Sequence, residues 1–404
     1  MKNIIFALFL FVAISCNTEY KPENKIKEDV AFLADDKLEG RQTGTPGEIK
    51  AAEYIQKRFK DLGLTAKGTN GFYQDFTFKP KTNPHEEVKF TENADGTITG
   101  RNVIGFLDNK AENTVVIGAH FDHLGFGGDG SLHRGEKSIH NGADDNASGV
   151  AVMLNLISKL KEKNTKNNYL FMAFSGEEMG LLGSNYFVKN PTIDTKAVSY
   201  MINMDMVGRL KDSALAVYGT GTSPIFKQTL KSHNNNFKLI QKESGVGPSD
   251  HTSFYLADIP VLHFFTGQHE DYHKPGDDSE KLNYTGMEII STYIFNIISD
   301  LNDNGKLAFR KTKSEKAQVR FKVGLGVIPD YMFDGKGMRV DGVSEDKPAI
   351  KAGLQKGDVV IKLGDKDVTD MMSYMKALAV FKKGDKTTVI VKRKGKEVKA
   401  QIQF

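Results

Sequence analysis

Four apolar runs along the first three-quarters of the chain each stop abruptly at residues able to bind a cation. Val115 to His120 leads into Asp122, and Asn167 to Phe174 leads into Glu177 and Glu178. Val198 to Met204 is followed by Asp205, and Ile259 to Phe265 by a loop holding Tyr272 and His273. The runs are short, rich in β-branched and aromatic residues and apolar without alternation, which predicts strands buried on both faces. Elsewhere the period is that of a helix. Ala52, Ile55, Phe59 and Leu62 recur on one face before a capping Gly63, and Val150, Met153, Leu154 and Ile157 share a face directly after Asp144 and Asp145. That second helix aims the positive end of its dipole at the two carboxylates. Phe72 to Phe78 alternates as a half-buried strand does, Asp95-Gly96 signals a hairpin turn, and Asn102 to Leu107 begins another strand. The glycine-rich stretch from Gly125 to Gly135 has the length of a loop over a site. The pattern predicts an α/β fold with a mixed, mostly parallel central sheet flanked by helices. In open sheets of that kind ligands sit outside the carboxyl ends of the strands. A lone acid there is usually a turn or helix cap; capping does not account for four strand ends that gather histidines, carboxylates and a tyrosine.

Composition extends the picture beyond this unit. The 404 residues suffice for two or three domains, and the 39% hydrophobic content is that of an ordinary globular chain. Net charge is +4, but the first 308 residues are net acidic and those from 315 on net basic. The late lysines are dispersed, as on a solvated face, and no nucleic-acid-binding motif is present. At the N-terminus Lys2 precedes IIFALFLFVAIS, too short to span a bilayer and shaped like a secretory signal over residues 1–15. Cys16, the single cysteine, follows at once and resembles a bacterial lipoprotein lipidation site. Ala13 in place of the usual leucine keeps ordinary secretion open. The expectation is an exported protein: a periplasmic or outer-membrane lipoprotein with a lipid anchor, or a secreted one. One cysteine allows no intrachain disulfide, so stability rests on the core and on bound metal. Residues 16–26 read as a tether, 27–303 as the α/β domain, 304–319 as a polar linker and 320–404 as a β-rich unit punctuated by glycines. GRQTGTPG lacks the Lys-Ser/Thr ending and the preceding strand of a phosphate-binding loop.

Histidine nitrogens combined with carboxylate oxygens suit zinc, where purely oxygen ligands suit calcium or magnesium. Two histidines with several acids imply more than one ion. A pair of ions about 3.5 Å apart needs a bridging carboxylate, and one acid must stay free of metal to take a proton from water. Glu177 and Glu178 are adjacent and can divide those tasks.

The ordered series GAHFDHLG, NGADDNASG, FSGEEMGLLGS, INMDMVG, PSDHTSF and EDYHKPGD resembles the motifs of the M28 family of zinc aminopeptidases over roughly Lys27 to Leu301, and LEGRQTGTPGEIKAAEYI is similar to the family's N-terminal segment. The resemblance implies two Zn2+ ions. His120 and Asp205 would bind one, His273 and Glu178 the other, and Asp144 would bridge them, with a cis peptide between Asp144 and Asp145. Asp122 would orient His120, Glu177 would be the general base and Tyr272 would hold the oxyanion. It implies hydrolysis of the N-terminal peptide bond of peptide substrates. His123, His133, His140, His251, His263 and His269 lie outside that pattern, with His251 the best candidate for a pocket role. A non-catalytic peptide-binding scaffold and a glutaminyl cyclase-like enzyme are the alternatives; the full ligand set and paired carboxylates favour hydrolysis. VGLGVIPD, GMRVDGVSEDKPAIKAGLQKGDVVIKLGDKDV and GDKTTVIVKRKGKEVKAQIQF resemble a PDZ domain of the bacterial peptidase-associated kind. Gly324, Leu325, Gly326 and Val327 would then present backbone amides to a peptide C-terminus; the alternative is a PDZ fold that only supports the catalytic domain by packing against it.

Overall fold

The computed structural model describes residues 22–404 except 81–87, 129, 162, 313–322, 331–332, 334 and 344–346. The expected signal segment and Cys16 lie outside the described residues. In chain order the first part comprises α1 (Pro22–Leu33), α2 (Pro46–Asp61), β1 (Thr65–Ala66), β2 (Tyr73–Phe78), β3 (Ile98–Leu107), β4 (Asn113–His120), α3 (Gly149–Leu160) and β5 (Asn167–Phe174). It continues with α4 (Leu182–Lys189), β6 (Val198–Met204), β7 (Ala214–Tyr218), α5 (Phe226–Ser232), β8 (Lys238–Gln241), α6 (His251–Leu256), β9 (Val261–Phe265) and α7 (Tyr284–Leu301). The strands form one sheet in the order β1-β3-β5-β4-β6-β9-β7-β8, with β2 on β3. Its central strands β5-β4-β6-β9 are mutually parallel, so their carboxyl ends all open on one edge. The flanking β3 and β7 run antiparallel to them.

Unbroken apolar runs arise here because both faces of the sheet are covered. Side chains alternate across a strand. Val115, Ile117 and Ala119 of β4 enter a core with Ile26, Ile55, Leu154 and Ile294 from α1, α2, α3 and α7. Val116, Leu170 and Met172 enter the opposite core with Phe187 of α4 and Phe254 of α6. Helix α2 follows its expected spacing: the Thr45 side chain caps its N-terminus, Pro46 opens it, Ile55 and Phe59 are buried, and Gly63 follows with positive φ.

Two boundaries differ from expectation. The stretch 16–26 is not all tether, because α1 begins at Pro22 and buries Ile26, Val30 and Leu33, one apolar face at helical spacing. The described part of the expected linker lies against the α/β domain: Leu307 is buried, its N–H donates to Ser199 Oγ, and Thr312 N–H donates to Tyr255 Oη. Polarity suggested a free segment, but these hydrogen bonds use polar groups to fix it.

The C-terminal unit contains β10 (Val327–Pro329), β11 (Met338–Val343), α8 (Pro348–Lys351), β12 (Val359–Leu363), β13 (Lys366–Asp367), α9 (Met371–Leu378), β14 (Lys386–Arg393) and β15 (Lys396–Gln403). Its antiparallel sheet runs β10-β11-β12-β14-β15, with β13 on β12, around a separate core of Leu325, Val340, Val360, Leu378 and Val389. Strand β10 is an edge strand among those described. Leu325 is fully buried and its carbonyl accepts from Ala349 N–H, while Gly326 has φ 76° and packs so closely on Lys347 that a Cβ would lie 2.0 Å away. Glycine is therefore required at that turn.

Candidate metal centre and active site

Each central strand delivers one donor to the shared carboxyl edge. At the end of β4, the backbone carbonyl of Asp122 lies 3.2 Å from His120 Nδ1, which orients the ring. Nε2 of His120 then faces Asp145 Oδ1 and Asp205 Oδ1, each at 3.3 Å. On the other side His273 Nε2 faces Asp145 Oδ2 at 3.2 Å and Glu178 Oε2 at 3.3 Å. His273 is held through Nδ1, 2.8 Å from the carbonyl of Gly130, so the glycine-rich loop packs on the site as its length suggested. Asp122 joins two strand ends, with Oδ1 accepting from Glu177 N–H at 3.1 Å and Oδ2 from Thr43 Oγ1 at 3.1 Å. Tyr272 stacks on His273 with ring centroids 3.8 Å apart, and Glu177, Glu178, Tyr272 and His273 line a cavity of about 80 Å3.

The shared carboxylate is Asp145, not Asp144. Asp144 turns the other way: its Oδ1 accepts from Gly208 N–H at 2.6 Å and its Oδ2 lies 3.2 Å from His269 Nε2. The cis peptide is Asp145–Asn146 rather than Asp144–Asp145. The physical reason is non-local. Asp277 Oδ2 accepts the N–H groups of both Asp144 and Asp145, at 2.9 and 3.0 Å, while Asn146 bonds to Met204 O, Met206 N–H and Gly149 N–H. These anchors fix which of three consecutive polar side chains points inward.

Two further contributors escaped the sequence pattern. His123 Nδ1 lies 2.8 Å from Glu178 Oε1, and its buried Nε2 has no hydrogen-bond partner. Its only sequence signal is its place three residues after His120. Arg41 is fully buried and donates to four main-chain carbonyls: Phe121 at 2.7 Å, Asn141 at 2.6 Å, Gly142 at 3.1 Å, and Leu33. It clamps the backbone on both sides of the site. His251 is not a pocket residue. It stacks behind His263, ring centroids 4.4 Å apart, and it is His263 that lines the cavity. Gly324 to Val327 belong to the C-terminal unit and are not part of this cavity's lining.

The charges favour a cation at the centre of the cluster. Burial lowers the pKa of His120, but Asp205 and Glu177 more than reverse this, so it rises well above the usual histidine range. Burial likewise opposes protonation of His273, yet Glu178 and Asp145 raise it to about 9. Burial pushes the Glu177 carboxyl well above the usual carboxylate range, Asp205, Glu178 and Asp250 add to this, and His120 opposes it. Among the described residues two groups of donor atoms are close enough to hold a metal ion: His120, Asp145 and Asp205, and His123, Asp145 and Glu178. His120 Nε2 is buried without a hydrogen-bond partner although two carboxylates face it, which is the environment of a metal-ligating nitrogen. The residues present therefore fit zinc.

Comparisons with known proteins identify the two domains and the fold. Residues 102–298 match the model of peptidase family M28 and residues 307–404 that of the PDZ domain. The alkaline phosphatase isozyme conversion protein of Escherichia coli is 32% identical over 41% of this chain and 46% of its own length. A probable leucine aminopeptidase of Arthroderma benhamiae is 29% identical over 50% of this chain and 58% of its own. The chain thus spans about half the length of these curated relatives. Among solved structures, BSAP, a zinc aminopeptidase from Bacillus subtilis, superposes with TM-score 0.53 at 18% identity, covering 74% of this chain and 97% of that one. The glutaminyl cyclase of Bacteroides thetaiotaomicron superposes with TM-score 0.53 at 16% identity, covering 69% and 97%. At such identities the likeness is one of fold.

Proposed function

From a chain that carries a peptidase family M28 domain followed by a PDZ domain, we propose a zinc aminopeptidase that removes the N-terminal residue of peptides. The observation that carries this reading is Asp145, whose two carboxylate oxygens face His120 and His273 from opposite sides. His120, Asp145 and Asp205 would hold one Zn2+. Asp145 and Glu178 would hold the other together with His273, whose Nε2 faces both carboxylates, while His123, which shares that donor cluster, has its Nδ1 on Glu178 Oε1 and braces that carboxylate. Zinc bound there supplies Lewis acidity toward a carbonyl oxygen and toward water. Glu177, which has no place in either donor group, accepts the proton of the attacking water at its carboxylate and returns it to the leaving amine nitrogen. Its backbone N–H on Asp122 keeps it in register with His120. The Tyr272 hydroxyl donates to the developing oxyanion. The surplus of carboxylates attracts a free α-ammonium group, which favours an exopeptidase over an endopeptidase. Gly324 to Val327 are proposed to receive a peptide C-terminus, with the peptide adding to the edge strand β10. The apolar N-terminal run and Cys16 support export, with lipidation as the anchor. Among the described residues no helix is long and apolar enough to cross a membrane.

Mass spectrometry of short peptides with free or acetylated N-termini, with and without a chelator, tests the reading. Chelator-sensitive loss of single N-terminal residues from free peptides only is the expected result. Internal cleavage would point to an endopeptidase, loss of ammonia without chain shortening to a cyclase, and no reaction with zinc-replete protein to a binding scaffold.

A further inference from the structure

A second, larger cavity of about 690 Å3 lies between the M28 and PDZ domains. It adjoins the first, because Tyr218 and Pro248 line both. One wall carries Val246 and Pro248, the other Phe333, Met371 and Met375, and Lys242 Nζ donates to the carbonyl of Phe333 at 2.7 Å across it. We propose that this cleft is the downstream half of the substrate site. The first residue of a peptide occupies the small cavity, and the residues after the scissile bond run between the two walls. The PDZ domain is then part of the enzyme's specificity. The proposal rests on the aminopeptidase reading.

Three features determine the occupant. The small cavity accommodates little more than the terminal residue, so a longer chain must leave it, and the adjoining cleft is a direct continuation. Strand β10, whose last residue Pro329 lines the cleft, has an unpaired edge among the described strands. An extended peptide can add to such an edge through main-chain hydrogen bonds whatever its sequence. Proline has no N–H to give, so pairing ends at Pro329, where the cleft begins. Lastly, unbranched, polarizable methionines form an adaptable surface for side chains of different shapes. The polarity is also consistent. A peptide whose carboxylate lies at Gly324 to Gly326, before β10, runs antiparallel to that strand and directs its N-terminal part past Pro329 toward the cleft and the metal centre. At about 3.3–3.6 Å per residue an eight-residue peptide reaches about 26–29 Å, and a dipeptide about 7 Å. Only the longer one engages both walls.

The test uses zinc-replete full-length protein and peptides of two and eight residues that share their first two residues. The expected kcat/KM for the octapeptide exceeds that for the dipeptide by about tenfold or more, a gain of about 1.4 kcal/mol. Met371→Glu and Phe333→Ala should bring that ratio toward one. A glutamate suits the first turn of α9, so Met371→Glu should fold, and circular dichroism checks both variants. Equal kcat/KM for the two lengths, or a ratio unchanged in both variants, overturns the proposal. Isothermal titration calorimetry with chelated protein and the same unlabelled peptides separates it from the reading beneath it. Length-dependent binding that Met371→Glu abolishes, together with no turnover by the zinc-replete protein, would retain the cleft and reject the aminopeptidase. Length-independent binding would reject the cleft.

Discussion

Asn substitutions at the neighbouring Asp144 and Asp145 should have very unequal consequences for metal binding. Asp145 places one oxygen 3.3 Å from His120 Nε2 and the other 3.2 Å from His273 Nε2, so Asp145→Asn removes the charge common to both donor groups and replaces one oxygen by an amide that cannot ligate. Loss of an outer hydrogen-bonding partner alone weakens a metal site about 10–100-fold. Loss of a direct shared ligand should exceed that range at both positions, about 2.8 kcal/mol or more for each ion. Asp144→Asn keeps an oxygen to accept the Gly208 N–H and loses only a charge beside His269 and Asp277. Burial first and Asp144 second raise the Asp277 carboxyl to about 6, so relief of that repulsion offsets part of the loss. Metal affinity should then remain within about tenfold of the parent. Zinc per chain after gel filtration, by inductively coupled plasma mass spectrometry, and affinity by dye competition measure both. Two zinc ions per chain are expected in the parent and in Asp144→Asn, and one or none in Asp145→Asn. Depletion in Asp144→Asn with full occupancy in Asp145→Asn would refute the assignment of the shared carboxylate.

Three further outcomes follow from other contacts. Arg41→Lys retains the charge but has at most three donors for four buried carbonyls; leaving one unpaired costs about 1–3 kcal/mol, which calorimetry should register as a Tm lower by several degrees, and an unchanged Tm would remove the clamp. His123→Leu, which strips Glu178 of its 2.8 Å partner, should weaken one zinc ion about 10–100-fold and leave the other in place, as read by stepwise dye competition; equal loss of both would contradict that placement. Burial lowers the pKa of His263 to about 4, from 6.5. A depressed folded-state pKa means the stability is present above pH 6.5 and is lost as pH falls toward 4, by about 3 kcal/mol. Urea unfolding of metal-free protein should show this decline, and His263→Phe should make it shallower, since Asn203 keeps Ser249 as a partner and only buried His251, whose pKa is also lowered, remains of the stacked pair; an equally steep decline in the variant would place the acid sensitivity elsewhere.

What was legible in the sequence and what was not divide along a physical line. Buried parallel strands need apolar residues on both faces, so β4, β5 and β6 appear as unbroken runs, and the donors at their ends fall where the runs stop. His120, Glu177, Glu178 and Asp205 are placed in this way. Loops carry no such period. In Asp144-Asp145-Asn146 three polar side chains follow one another, and nothing local distinguishes the one that faces the histidines. The distinction is made by Asp277, 133 residues away, whose single oxygen takes the N–H groups of both aspartates, and by Asn146, which reaches across to Met204 and Met206. Arg41 was hidden for a related reason: its partners are main-chain carbonyls, which every residue type offers alike. His123 follows His120 closely in sequence, but its role depends on Glu178, 55 residues further on. Residue identity set the donor types, and long-range hydrogen bonds set their phase. A one-residue shift in the Asp144–Asn146 loop would preserve every motif in the sequence and still move the shared carboxylate out of the site, so Asp277 is as necessary to the metal centre as the ligands it never touches.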